Sequence, residues 1–233
     1  MQTLLQIVQQ ACGEMGLNAP NYVIGNTASD TVQMLALLNG LGGDLSREFD
    51  WQALQKAYTF TTTGTASYPL PSDYDRQIDR THYDKSKRWE MLGPESPQQW
   101  EFLTSAYISV GPRLRYRLMG NALNVWPTTN TGETVGFEYI SNAWVTAADS
   151  TAKSSFTLDT DVCIFPDRLM ITGLKLRYFS VKGFNTQEYQ AEFMRYLSVA
   201  KSNDAGASTL SFAPKQSSVL IGWENIPDSG YGQ

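Results

Sequence analysis

Apolar residues recur every three or four positions at both ends of this chain and every second position through its middle. Any fold it takes must therefore join helices from the two ends around a block of strands. Leu4, Leu5, Val8, Ala11, Cys12 and Met15 set the rhythm of a first helix over about residues 3–15. Thr3 and Gln6 can open it as a capping box, and Gly13, Gly16 and Pro20 can close it. A loop over 18–27 leads to a second helix, with Asp30 and Gln33 as its capping pair and a seam of Met34, Leu38, Leu41, Leu45 and Phe49. Gly40, Gly42 and Gly43 fall inside that helix, each costing about 1 kcal/mol relative to alanine. A closely approaching neighbour helix or a kink would account for them. Near the other end, Pro166 begins a helix through Leu169, Met170, Ile171, Leu174, Leu176, Tyr178 and Val181 to Gly183. It is apolar almost all round and is expected to be central. Asn185 with Glu188 caps a last helix bearing Tyr189, Phe193, Tyr196, Leu197 and Ala200. The expected class is α+β: a helical bundle from residues 1–54 and 165–204, an inserted antiparallel β domain over 55–164, and an extended C-terminal arm over 205–233.

Within the middle block, Tyr58, Phe60 and Thr62 alternate with smaller residues before Gly64, and short strands follow near 67–70, 77–84 and 88–92. Ser96-Pro97-Gln98-Gln99 starts a short helix to about Thr104, with Trp100 and Leu103 facing inward. The strongest local pattern covers residues 113–127. Leu114, Tyr116 and Leu118 alternate with Arg113, Arg115 and Arg117, and Gly120-Asn121 supplies a two-residue hairpin turn. That turn opposes Leu118 to Leu123 and Tyr116 to Val125 on the core face. It pairs Arg117 with Asn124 and Arg115 with Trp126 on the other, the latter as a cation–π contact. The row Arg113, Arg115, Arg117 with Trp126 is a possible contact face, readable either as solvated sheet or as a strip against a nucleic-acid backbone. A further strand over 134–144 places Val135, Phe137 and Tyr139 on one side.

Motifs that carry chemistry are sparse. The single histidine, His82, lies in a strand-like run and reads as a surface or half-buried residue before it reads as a general base. Cys12 and Cys163 read as small core residues, with a disulfide between them left open. Asp73, Asp75 and Asp79, and the pair Asp159 and Asp161, admit calcium binding or two-carboxylate hydrolysis, yet they sit beside Pro71, Ser72 and Thr160, where acids cap turns. Gly40-Leu41-Gly42-Gly43 lacks the third glycine of a dinucleotide fingerprint and sits inside a helical pattern. No catalytic residues, metal ligands or cofactor are expected. Charged residues are only 18% of the chain against roughly 25% on average, while Ser and Thr number 41 and the aromatics Phe, Trp and Tyr 28. Such a surface suits sheets and contacts with neighbours. A formal charge of −5 excludes a whole-molecule field that attracts nucleic acid. No apolar run approaches the ~20 residues of a membrane span, and MQTLLQIVQQ lacks the basic start of a signal peptide, so a soluble chain without a membrane partner is expected.

Past Asp204 the periodicity dissolves. Residues 205–233 hold four Gly, five Ser and two Pro, but they also carry Leu210, Phe212, Val219, Leu220, Ile221, Trp223 and Ile226. Large apolar residues in a polar, turn-rich stretch suggest a segment that orders against a partner or packs back on its own domain.

Six stretches in one order resemble the head-to-tail adaptor proteins of short-tailed bacteriophages. They are VIGNT (residues 23–27), the Leu-rich second helix into DWQAL (50–54), YPLPSDYDRQIDRTHYD (68–84), GPRLRYRLMGNALNVWP (111–127), VGFEYISNAWV (135–145), and FTLDTD (156–161) ahead of the Pro166 helix. The resemblance covers about residues 4–200 and leaves the tail outside. Gly40, Gly42 and Gly43 depart from it, standing where stronger helix formers are expected. It implies a helical bundle carrying a β domain, and twelve copies in a ring under the portal protein. The C-terminal arm would run onto the portal, a tail nozzle protein would dock below, and DNA would pass through a central channel without specific binding. It further implies a virion protein of the neck and tail, assembled in the bacterial host cytoplasm from monomers that stay soluble until the portal offers a template. Two other classes compete. A tail-associated module recognising carbohydrate would need Trp89, Trp126 and Trp144 to line one groove, and a carboxylate hydrolase would need two acids roughly 5–10 Å apart.

Overall fold

The computed structural model of the chain describes residues 1–105 and 113–205. Helix α1 (Leu4–Met15) opens on Thr3, whose hydroxyl accepts from the Gln6 N–H while the Gln6 carboxamide accepts from the Thr3 N–H, so both members of the capping box form. It stops at Gly16, whose φ of 72° is the left-handed turn that frees the chain from the helix. Leu4, Ile7, Val8, Ala11 and Cys12 are its buried face.

Helix α2 (Ser29–Glu48) runs unbroken through the three glycines and buries Met34, Leu38, Leu41 and Leu45. Its opening differs from the sequence reading. The helix starts one residue before Asp30, no side chain caps it, and the Asp30 carboxylate turns instead to Lys182, 3.0 Å away. Of the two accounts of the glycines, the close neighbour helix is the one found. The helix Asp167–Val181 packs on α2 here, its Arg177 lying 3.2 Å from where a Cβ on Gly40 would stand, while Gly42 makes room for a side chain from outside the helices. A Cβ on Gly42 would land on the indole of Trp144, and Gly43 faces nothing within 4 Å. The close helix–helix approach is made by Gly173, where a Cβ would meet Leu41 at 2.5 Å.

After a 3-10 turn at Gln52–Leu54 come β1 (Gln55–Thr61), β2 (Ser67–Pro69), β3 (Tyr74–Gln77), β4 (Tyr83–Asp84) and β5 (Trp89–Glu90). The single strand expected over 77–84 is broken between β3 and β4, where Arg80 takes a φ of 61°. Helix α3 (Pro97–Ser105) starts on Ser96 paired with Gln99, as expected, but buries no residue: Trp100 and Leu103 are only half-covered. Then follow β6 (Arg115–Met119), β7 (Ala122–Trp126), β8 (Thr134–Ser141), β9 (Val145–Thr146), β10 (Ala152–Lys153) and β11 (Val162–Cys163). Helix α4 (Asp167–Val181) packs against α1, α2 and α5 (Gln187–Ala205), which makes it the central helix its all-round apolar pattern demanded. Val181, at its end, is exposed.

All sheet pairings are antiparallel, so the class is α+β. In the largest sheet β8 is the hub. β1 pairs along one edge over its whole length, while β3 and β4 share the other, β3 against 139–141 and β4 against 135–136, with β5 outside β4. A second sheet has the order β2-β7-β6 and a third β10-β9-β11. Two cores result. Tyr68, Met91, Leu114, Tyr116, Leu123, Val125, Val135, Phe137 and Tyr139 fill the space between the first two sheets. The helices build the other, which also takes in Ile140 of β8 and Trp144, Val145, Phe156 and Cys163 from the chain between β8 and α4.

Candidate interaction surface

The hairpin forms in the register that its turn dictates. Gly120 and Asn121 have φ of 60° and 59°, the paired left-handed conformation of the tightest hairpins, and Arg115 lies opposite Trp126, Tyr116 opposite Val125, Arg117 opposite Asn124 and Leu118 opposite Leu123. Tyr116 and Val125 are buried, while Leu118 is half-buried. On the outer face Arg115 does not stack on Trp126. Its guanidinium reaches the Glu95 carboxylate at 2.6 Å, because the chain ahead of α3 runs alongside β6: the Leu92 N–H donates to the Leu114 carbonyl and the Glu95 N–H to the Tyr116 carbonyl. A charge-assisted bond of that length outweighs a cation–π contact at a wet surface. Arg113 is exposed and Arg117 half-buried, and neither has a carboxylate partner among the described residues. The Arg row therefore divides into one arginine engaged by Glu95 and two without an ionic partner among the described residues.

The aspartates that admitted calcium or hydrolysis are engaged within the chain, two by backbone N–H groups and three by side chains. Asp159 accepts the N–H groups of Val23 and Ile24 at 3.1 and 2.8 Å, tying the loop between α1 and α2 to the segment before β11. Asp161, fully buried, accepts from the N–H groups of Thr157 and Leu158 and from Lys153. Burial pushes its pKa up, but those donors outweigh burial and hold it below the usual carboxylate range. Asp73 takes Lys56 at 2.6 Å, Ser141 at 2.7 Å and Tyr139 at 2.8 Å, and the same balance depresses it. Asp75 is engaged by Arg76 and Arg47, and Asp79 accepts from Gln77. Among the described residues no three His, Cys, Asp or Glu side chains group closely enough to hold a metal ion.

His82 is fully buried, against the surface or half-buried place its sequence suggested. Its ring is sandwiched between Tyr116 at 4.0 Å and Phe137 at 4.8 Å, and neither ring nitrogen has a hydrogen-bond partner. Burial lowers its pKa to about 4, with Asp79 pulling weakly the other way, so at neutral pH it is an uncharged core aromatic. Both cysteines are free and buried. Burial, and then the charge of Asp167, push the Cys163 thiol up to about 12, which leaves it unreactive. The three tryptophans of the carbohydrate reading do not line one groove: Trp144 is 1% exposed in the helical core, while Trp89 and Trp126 belong to different sheets.

Two joints were invisible in the sequence. Arg76 on β3 grips the C-terminal end of α2, donating to the Phe49 carbonyl at 2.9 Å and the Asp50 carboxylate at 2.7 Å. Asp204, in the last turn of α5, accepts the Gln52 N–H at 2.6 Å and the Ala53 N–H at 3.3 Å, with Lys201 and Glu48 paired beside it at 2.9 Å. The end of α5 is thereby pinned to the 3-10 turn. Leu210, Phe212, Val219, Leu220, Ile221, Trp223 and Ile226 lie outside the described residues. No helix among the described residues is long and apolar enough to cross a membrane.

The segments that carried the resemblance are thus the joints themselves. VIGNT is clasped by an aspartate of FTLDTD, and the DWQAL end of α2 by an arginine of the 68–84 string. A family model described as SU10 adaptor protein matches residues 2–214, so the family pattern extends past α5 and includes Leu210 and Phe212, which the sequence resemblance had left outside. No match was found among curated proteins.

Proposed function

This chain belongs to the SU10 adaptor protein family, structural adaptors of bacteriophage virions, and on that premise we propose that it forms a ring of twelve copies under the portal protein and links it to the tail nozzle. DNA passes through the centre of the ring, whose subunits carry a net charge of −5 that disfavours trapping it. The single observation that carries this reading is the family match over nearly the whole chain.

The division of labour proposed is a helical bundle from 1–54 and 165–204, a β domain over 55–164, and an arm over 205–233 that reaches the portal. The anchoring of Asp204 supports it, because an arm that departs from a pinned point loses less freedom on docking than one hung from a frayed helix. The arm's apolar residues fall in two groups, Leu210 with Phe212 and Val219 through Trp223, separated by a polar stretch with Pro214. Two anchors on one segment suit two pockets, and burying Ile221 and Trp223 would supply about 3–6 kcal/mol before ordering costs. Arg113 and Arg117 are the contact candidates on the hairpin. The role is assembly without turnover, since the acids that admitted hydrolysis are engaged within the chain, Asp159 and Asp161 by backbone N–H groups and Asp73, Asp75 and Asp79 by side chains.

The test is binding of immobilised portal protein from the same genome. A chain ending at residue 205 should keep its melting temperature and lose portal affinity sharply, and Trp223→Ala should reproduce part of the loss. Wild-type affinity in the truncated chain would remove the arm from the interface.

A further inference from the structure

Of the seventeen Lys and Arg side chains among the described residues, eleven lie within 4 Å of a carboxylate. The six that do not are not scattered. Arg195 faces the Tyr196 ring and Arg113 and Arg117 stand on the hairpin, but Arg80, Lys85 and Arg88 line one open cavity of about 560 Å³ on the outer face of the largest sheet. In a chain of net charge −5, three cations without an ionic partner at one concavity are an unspent attraction.

The walls of the cavity say what would satisfy it. Its floor is Ala57 of β1 and Gly136 of β8, small and uncharged, with Lys85 lying over Gly136 where a Cβ would come within 2.5 Å of the lysine chain. The Lys85 ammonium donates to the Thr59 hydroxyl, at 2.8 Å, and meets no carboxylate among the described residues. Asp84 also lines the cavity. It is 2% exposed, and its Oδ2 has no hydrogen-bond partner, since the nearest ammonium, that of Lys87, stands 3.7 Å off and is held by Glu133 at 2.7 Å. Glu138 adds a second carboxylate. The site therefore offers three cations for carboxylates and, in the exposed Glu138, an acceptor for an N–H.

We propose that this cavity docks an acidic segment of a partner protein, with its Asp or Glu side chains on Arg80, Lys85 and Arg88 and one of its N–H groups on Glu138. A polyphosphate backbone fits less well: it brings a negative charge at every residue and no N–H for Glu138 to accept. A peptide supplies both signs of hydrogen-bonding group along one strand. The inference rests on where the unpaired cations lie and holds whether or not the chain acts as a ring adaptor.

The test uses the full chain and a fluorescein-labelled dodecapeptide of Asp, Glu and Ala, read by anisotropy at low and physiological salt, with a single-stranded thymidine oligonucleotide as the competing class. Arg80→Asn with Arg88→Asn should weaken peptide binding by about tenfold or more, asparagine being chosen because it tolerates the φ of 61° and 59° at these positions. Ala57→Trp, on an exposed strand position, should block the floor and weaken binding without any change of charge. Arg47→Gln with Arg195→Gln makes the same change of charge on the helices and should leave affinity within about twofold. Absence of peptide binding at millimolar concentration, equal losses in the two double variants, or tighter binding of the oligonucleotide would each overturn the proposal.

Discussion

Two neighbouring glycines in the middle of α2 should respond to the same substitution with opposite signs. Gly42→Ala and Gly43→Ala each gain about 1 kcal/mol of helix propensity. At Gly43 the new methyl meets nothing within 4 Å, so the gain is kept. At Gly42 it would overlap Cη2, Cζ2 and Cζ3 of Trp144, a rigid ring 1% exposed and held edge-on by Phe156 at 5.1 Å, so it has nowhere to retreat. Overpacking of that kind costs about 1–3 kcal/mol, and the overlap with a fixed ring belongs at the upper end, for a net loss of about 2 kcal/mol. For a chain of this size 1 kcal/mol moves Tm by about 2–4 °C. Gly43→Ala should therefore raise Tm by about 2–4 °C and Gly42→Ala lower it by about 4–8 °C, read by thermal and urea unfolding followed by circular dichroism. Trp144→Phe removes the overlapping atoms, so combined with Gly42→Ala it should cost less than the sum of the two single changes. Shifts of the same sign at both glycines, or strict additivity in the double variant, would refute the packing argument.

The buried His82 should make stability fall with acid. Its folded pKa of about 4 lies below the unfolded value of 6.5, so the unfolded chain binds the extra proton between them, and stability is full above pH 6.5 and lost as pH falls toward 4. The loss approaches about 3 kcal/mol, and His82→Phe should flatten this part of the urea-unfolding profile; an unchanged profile would contradict it. On the hairpin, Tyr116→Asp buries an unpaired charge and should cost several kcal/mol, whereas Arg117→Ala should cost under about 0.5 kcal/mol. Equal losses by urea unfolding would place the wrong face inward.

What the sequence revealed and what it hid divide along chain distance. The hairpin register followed from Gly120-Asn121, because a two-residue turn fixes every later pair, and the helices followed from their apolar period. Arg115 was assigned to Trp126 because that is its cross-strand neighbour, but Glu95, twenty residues back, makes the stronger bond. The acids at 159 and 161 were recognisable as turn residues. That Asp159 would clasp a loop 135 residues away in sequence was not, since nothing local encodes a distant partner. Trp144 follows β8 in sequence but belongs to the helical core, and the glycine that admits it looked like a helix defect until the two were brought together. His82 lacks any polar signal for its burial; only its aromatic neighbours across the sheet explain it.

Template-driven assembly is tested most directly by light scattering of the chain alone at micromolar concentration and then mixed with the portal protein from the same genome. Alone, the expected mass is 26.0 kDa. In the mixture, twelve copies should add about 310 kDa to the portal, at one mass and in one peak. A stable ring formed by the chain alone, or a mixture whose components elute separately, would contradict assembly on a portal template.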